Sequence, residues 1–390
     1  KVNKRILALD ILRGFTIAGM ILVHNPGSWG HIYAPLCHAE WNGLTPTDLV
    51  FPFFMFIMGI STYISLKKYN FEFSQSAALK IVKRTIVIFL VGCAIGWFSR
   101  FCRYWVTAPE DLSFFENLWA SVWTFDRMRI LGVMQRLALC YGAASIVALT
   151  VKHKRIPYII ATILIGYFVI LMCGNGYEYN ETNILSIVDR AILTPTHMYK
   201  DNGIDPEGLL STLPSIAHVL LGFYVGKLML DGNKSQDRMS FLNSQIVTLF
   251  LVGTILTFAG FLLSYGCPIN KKIWSPTFVL TTCGLASSFL ALLIWIIDVK
   301  GKKKWSLFFE AFGVNPLFMY VLGGVLGILF GCIRFPWEDG MISIHTFLYK
   351  IVLMPVFGQT GGSLAYALLF VTINWCIGYQ LYKRKIYIKI

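Results

Sequence analysis

Between Asn25 and Asp48 the chain reads NPGSWGHIYAPLCHAEWNGLTPTD, and the apolar run FPFFMFIMGI follows at once. An asparagine, a histidine, a glutamate and an aspartate crowded against an apolar run have the composition of a site. Such groups are scarce in hydrocarbon, where an unpaired polar group costs several kcal/mol. His38 is the expected centre. Imidazole is the side chain whose ordinary pKa, about 6.5, lets it take and give protons near neutrality. It can serve as a general base, or it can attack an activated acyl group and carry it briefly. From composition alone, a histidine that merely hydrogen-bonds loop backbone is an equal reading. Asn25 could donate to a developing oxyanion or cap a helix before Pro26. Asp48 could orient His38 or hold an ammonium group, and TPTD before an apolar run also fits a helix N-terminus. Glu40 and Trp41, just past His38, are weaker candidates for substrate contact.

The elements that must position these residues are membrane spans. Of 390 residues, 56% are hydrophobic and 14% charged, and the mean hydropathy is +0.63. A soluble domain carries about 25% charged residues. Ten apolar segments approach the roughly 20 residues needed to cross the hydrocarbon core, near 6–24, 48–66, 78–98, 130–151, 156–173, 208–230, 243–265, 274–298, 313–333 and 361–382. The expected fold is an all-α integral membrane protein of about ten transmembrane helices, forming a single domain over 1–390. The first segment lacks a small-residue cleavage site and carries Asp10 and Arg13, so it is expected to be a span rather than a signal peptide. The chain begins with Lys1, so trimming of some N-terminal residues is expected. The link near 334–360 contains HTFLYKIVLMPVF, too short to span easily, and is expected to be interfacial or re-entrant. Gly92 and Gly96, and Gly323, Gly327 and Gly331, recur at four-residue spacing and are expected to pack helices closely.

The net charge of +14 resolves by side. With both termini in the cytoplasm, inner segments hold 22 basic residues and outer links 10, while 14 of the 20 acidic residues fall outside. This is a positive-inside pattern, and nucleic acid is not an expected partner. Nine cysteines show no CxxC pair. Cys37, Cys102, Cys267 and Cys332 would face outward, and a disulfide among them is left open. His24, His31 and His38 recur every seven residues, but Pro26 and Pro35 break any helix between them, so no metal site is expected. Most outer tryptophans are expected to form an interfacial belt.

Six segments carry a resemblance: RILALDILRGFTIAGMILVHNPGSW, HAEWNGLTPTDLVFPFFMFIMG, GVMQRLALCYG, DPEGLLSTLPSIAHVLLG, NKKIWSPTFVL and GVNPLFMYV. Together they resemble the heparan-α-glucosaminide N-acetyltransferases and their bacterial relatives, within the wider transmembrane acyltransferase group. The resemblance implies a compact bacterial member of the cytoplasmic membrane, without the long lumenal N-terminal region of the animal enzyme. It implies transfer of acetyl from cytosolic acetyl-CoA to a glucosamine amine on the opposite face. His38 would be the active histidine and Asn25 the active asparagine, with Asp48 beside them. No other cofactor is implied.

The remaining charged residues are weighed against that chemistry. Asp10 and Arg13 lie three apart on one helix face and can pair there, with CoA contact by Arg13 as the alternative. Arg136, within an apolar span, needs an anionic partner, and a phosphate suits its guanidinium fork. Lys83 and Arg84 could meet the nucleotide phosphates or simply anchor the inner face. Asp205 and Glu207 in DPEG could attract a cationic amino sugar or shape a turn. Expected partners are the lipid bilayer and an amino-sugar or glycan acceptor, with a homodimer left open. Two rival functions stand: O-acetylation of an envelope glycan or lipid, and secondary transport of sugars.

Overall fold

A computed structural model describes residues 6–109, 111–231, 237–338 and 340–388. Lys1, Lys4, Arg5, Lys234 and Lys389 of the inner basic set, and Glu110 and Asp339 of the outer acidic set, lie outside the described residues. The helices are α1 Leu7–His24, α2 Pro46–Lys67, α3 Gln75–Thr107, α4 Phe114–Val122, α5 Val133–Thr150, α6 Ile156–Cys173 and α7 Ile184–Leu193. They continue as α8 Thr212–Asp231, α9 Arg238–Leu263, α10 Pro276–Ile294, α11 Leu307–Gly313, α12 Pro316–Cys332, the single turn α13 Ile344–Thr346 and α14 Met354–Lys383. The strands described are a short antiparallel hairpin, β1 Arg334–Trp337 with β2 Gly340–Ser343. The protein is an all-α integral membrane protein. Among the described residues eight helices are long and apolar enough to cross a bilayer, or nine if α11 and α12, bent by 76° at their junction, form one broken span.

Each of the ten predicted segments overlaps a helix, and the third, within α3, is the one not counted among those eight or nine. The third is longer than expected. Gln75–Thr107 runs 33 residues, about 50 Å, and carries Arg100 and Arg103 well beyond the apolar stretch. The link at 334–360 holds a helical segment from Ile344 that a break at Gly358 divides from the span after it. After the hairpin its residues coil widely through Phe347–Leu353 and join α14, which kinks at Gly358, where φ is 72°.

The helices meet through backbone-close contacts. A Cβ on Gly14 would stand 1.8 Å from the Phe309 carbonyl oxygen, and one on Gly313 would stand 2.0 Å from that of Asp10. This seats α11 on α1 and fixes the bend that follows. Of the glycines expected to pack, Gly92 does so, with Met134 and Gln135 of α5 where its side chain would be. Gly323 and Gly327 also pack, a Cβ on them standing 2.9 Å from Ile21 Cγ1 and 2.5 Å from Asn25 Oδ1, while at Gly96 and Gly331 the missing side chains leave room in a cavity.

Candidate functional site

Two cavities lie at opposite ends of the same helices. One, of about 580 Å³, is lined by the C-terminal ends of α1, α3 and α12, including His24, Asn25, Arg103, Tyr320 and Cys332. The other, of about 690 Å³, is lined by Arg13 of α1, Ser61 of α2, Lys80, Lys83 and Arg84 of α3, and Pro316 at the start of α12. At 1.5 Å per helical residue, their nearest lining residues are about 10 Å apart along α1 (Arg13 to Met20) and about 5 Å apart along α12 (Leu317 to Tyr320).

His38 is not among the residues that line the first cavity, but it lies within electrostatic reach of His24, which does line it. The loop before α2 is closed by a capping box in which Thr45 and Asp48 bond each other's backbone N–H. That box holds Asp48 in place, with its side chain 1% exposed. Asp48 Oδ2 accepts from the N–H of Ala39 (3.1 Å), the N–H of Thr45 (3.2 Å) and the Thr45 hydroxyl (2.9 Å). Its Oδ1 lies 2.7 Å from His38 Nδ1. A carboxylate only accepts, so Nδ1 carries the proton in this bond, and it is the neutral form of the ring that has a lone pair on Nε2. The two readings of Asp48, helix cap and orienter of His38, are therefore both satisfied, one by each oxygen. The His38 side chain is 43% exposed, open to a reaction partner.

Lys271 completes the cluster. Its Nζ is 3.1 Å from His38 Nδ1 and 3.4 Å from Asp48 Oδ1. Because Nδ1 already gives its proton to Asp48, the ammonium donates to the carboxylate and contributes its charge to the ring. Burial holds the Lys271 ammonium below the usual lysine range, opposed by Asp48 and Glu207. In the sequence Lys271 reads as one of two outer lysines; 233 residues separate it from His38, and no local pattern links them. His24 is the second residue that spacing alone missed. It is exposed to the cavity and within electrostatic reach of His38, Lys271 and Glu207.

The other expected residues sort differently. Asn25 lines the cavity, and its amide donates to the Ile21 carbonyl at 2.8 Å, so one N–H caps α1. Glu40 is exposed. Trp41 is engaged by protein: its indole donates to the Tyr177 carbonyl (2.8 Å) and its ring stacks on Tyr179. Asp205 is fully buried, paired with Arg129, and accepts from the N–H of Tyr199 and Glu207. It shapes the DPEG turn and is not open to an incoming sugar. Glu207, 2.5 Å from the same arginine, is within electrostatic reach of His24 in the cavity lining. Burial works against its charge, yet Arg129 and Arg136 hold its carboxyl below the usual range.

Arg13, Lys83 and Arg84 share the second cavity. Arg13 also bonds Asp10 (2.9 Å) and Ser61 (2.8 Å), so the pairing and cavity readings coexist. Arg136 is not with them. It is 1% exposed at the other end, where it donates to the Gly208 carbonyl (3.0 Å) and to Ser211, and stacks over Trp274. The anionic partners within its field are Glu207 and Asp205, which the apolar context of α5 could not reveal. Trp274 itself is buried beneath the site and is no belt residue.

The family model described as the catalytic region of heparan-alpha-glucosaminide N-acetyltransferase matches residues 5–260. The human protein of that name is 26% identical over 374 residues, covering 81% of this chain and 52% of the human one. The mouse protein is 25% identical over 450 residues, covering 99% of this chain and 60% of its own. The chain thus spans little more than half the length of the curated relatives it matches. With two thirds of its residues under the family model, the chain belongs to the heparan-alpha-glucosaminide N-acetyltransferase catalytic family.

Proposed function

We propose that this chain is a membrane acetyltransferase that takes acetyl-CoA at the Arg84 end and acetylates a glucosamine-type amine at the His38 end. The observation that carries the reading is the pair of cavities at opposite ends of α1, α3 and α12, one basic and one lined by His24, which is within electrostatic reach of the carboxylate-held His38. A CoA nucleotide is polyanionic, and its pantetheine arm is a thin chain suited to the short stretch between the cavities. Lys80, Lys83, Arg84 and Arg13 would meet the phosphates, and the thioester would reach the space beside His24 and His38.

The chemistry follows from the tautomer. The acceptor ammonium first gives one proton to water, and His38 Nε2 takes a second as the amine nitrogen attacks the thioester carbonyl. The oxyanion forms near the Lys271 ammonium and the remaining Asn25 N–H. The C–S bond then breaks, and the CoA thiolate leaves with a proton. Asp48 stabilises the imidazolium formed in between. In the covalent variant, Nε2 itself attacks the carbonyl and passes acetyl to the amine in a second step. The basic end would face the cytoplasm of a bacterial inner membrane, as the charge asymmetry favours.

Release of free CoA thiol from acetyl-CoA by purified protein tests the reading. Release that depends on glucosamine supports it. Release with hydroxyl acceptors only would make the chain an O-acetyltransferase, and none with any acceptor would remove the enzyme assignment. Acetate trapped on His38 from acetyl-CoA alone would select the covalent variant.

A further inference from the structure

Four cysteines read from the sequence as outward-facing are separated by the fold. Cys267 is buried and engaged with the Tyr177 hydroxyl (2.9 Å) and Thr277. Cys37 ends a short helical turn in the loop before His38. Cys102 and Cys332 come together. Cys102 lies on the long extension of α3, and Cys332 is the last residue of α12. Their thiols are within hydrogen-bonding distance of each other, and both are partly exposed. Cys332 lines the cavity beside His24, as do Ser99, Arg103 and Val106, the neighbours of Cys102 on α3. Along the cavity face of α12, Gly323 and Gly327 sit against Ile21 and Asn25 at the end of α1, Gly324 faces Ile95 of α3, and beside Gly331 there is open space.

We propose that Cys102 and Cys332 are a redox site: on meeting a disulfide-bearing oxidant they form a bond that locks α3 to α12 and narrows acceptor entry to the cavity that His24 lines. One thiol, deprotonated, attacks the oxidant's disulfide, forms a mixed disulfide and expels one oxidant thiolate. The second protein thiolate attacks the protein sulfur of that intermediate and expels the other. Two protein thiols are thus oxidised by two electrons, one oxidant disulfide is reduced to two thiols, and both protons end on those thiols. Cysteines already in contact need little backbone movement to reach bonding geometry. The effect on acceptor entry rests on the transferase reading above; bond formation does not.

The full chain in detergent is exposed to oxidised glutathione or to dithiothreitol, alkylated with N-ethylmaleimide and mapped by peptide mass spectrometry. The expected result is a Cys102–Cys332 cross-linked peptide after oxidised glutathione, lost on reduction and absent from Cys102→Ser and Cys332→Ser. Full alkylation of both cysteines after oxidation, or pairing of either with another cysteine, overturns the site. On the same samples, the KM for the amine acceptor should rise several-fold on oxidation, recover with dithiothreitol, and stay constant in both serine variants. A bridge that leaves that KM unchanged overturns the control of entry. Reduced protein with no transferase activity would count against the proposed function and leave the thiol map to judge the bond.

Discussion

Among the described residues, three cations at the His38 end of the bundle each face a carboxylate, whereas at the Arg84 end Arg13 pairs with Asp10, and Lys80 and Arg84 stand on aromatic rings. Arg129 faces Asp205 and Glu207, Lys271 faces Asp48, and Lys272 faces Asp201 at 2.8 Å. The opposite cavity brings together Arg13, Lys80, Lys83 and Arg84, and none of its described lining residues is acidic. There Lys80 leans on Tyr69 and Arg84 on Tyr141, aromatic faces that steady a cation without neutralising it. The contrast separates two tasks. Proton chemistry needs charges fixed before the reaction, so that none must reorganise during it. Binding an anion needs positive charge left for the ligand to complete.

Substitutions at the His38 end should therefore act on turnover. His38→Ala should lower kcat about 100-fold or more, roughly 3 kcal/mol of barrier, with acetyl-CoA binding retained. Calorimetric titration and thiol release on the same preparation separate the two quantities, and near-normal turnover would move the site elsewhere. Asp48→Asn should be next in size. It removes the acceptor that fixes the His38 tautomer and weakens the cap of α2, a change of about 1 kcal/mol in stability. The expected signature is a fall in kcat of about tenfold or more together with a lower unfolding midpoint. A midpoint shift with unchanged kcat would leave Asp48 only its capping role.

Substitutions at the Arg84 end should act on binding. Lys83→Ala with Arg84→Ala should raise the KM for acetyl-CoA about tenfold and leave kcat near its starting value. Arg136→Lys is the contrasting probe. It sits with the acidic loop and should leave that KM unchanged while lowering the unfolding midpoint, because the shorter fork cannot hold both the Gly208 carbonyl and Ser211. Equal KM effects from the two ends would dissolve the distinction.

What could be read in advance follows the physics of each residue. Spans were legible because run length and charge asymmetry act locally. His38 and Asp48 were legible because a polar cluster at the edge of an apolar run needs a reason. Lys271 was not, since its partner lies on the other side of the chain's course. Arg136 was legible as a buried cation in need of company, but its partners depend on how the loop ending in Ser211 folds over α5. Asp205 had two readings, a sugar contact and a turn, and the choice between them depends on Arg129 and the two backbone N–H groups around it, which the local sequence does not reveal. The kinship of the basic residues at the Arg84 end was only partly visible, because anchoring and ligand binding favour the same side chains.

The smallest expected effect concerns the acidic loop that supports the His38 end. Burial raises the Asp189 carboxyl to about 6, against the N–H groups of Leu210 and Leu209 that bond it. Its ordinary value is 3.8, so the folded protein holds this proton more tightly than the unfolded chain does. The group then opposes folding only when ionised. Stability is undiminished below pH 3.8 and is lost as pH rises toward about 6. Asp189→Asn should flatten that part of the stability profile, measured by tryptophan fluorescence in detergent. An unchanged slope would show that another group sets it.

The division of labour between the two ends is tested most directly in sealed vesicles. The protein is reconstituted, and its orientation is read from an impermeant maleimide on a single cysteine placed within 26–36. Acetyl-CoA is then supplied on one side only, with glucosamine confined to the other. N-acetylglucosamine should form when acetyl-CoA is on the side of Lys83 and Arg84 and the amine on the side of His38, and not in the reverse arrangement. Product formed only when both substrates share one side would contradict transfer through the bundle.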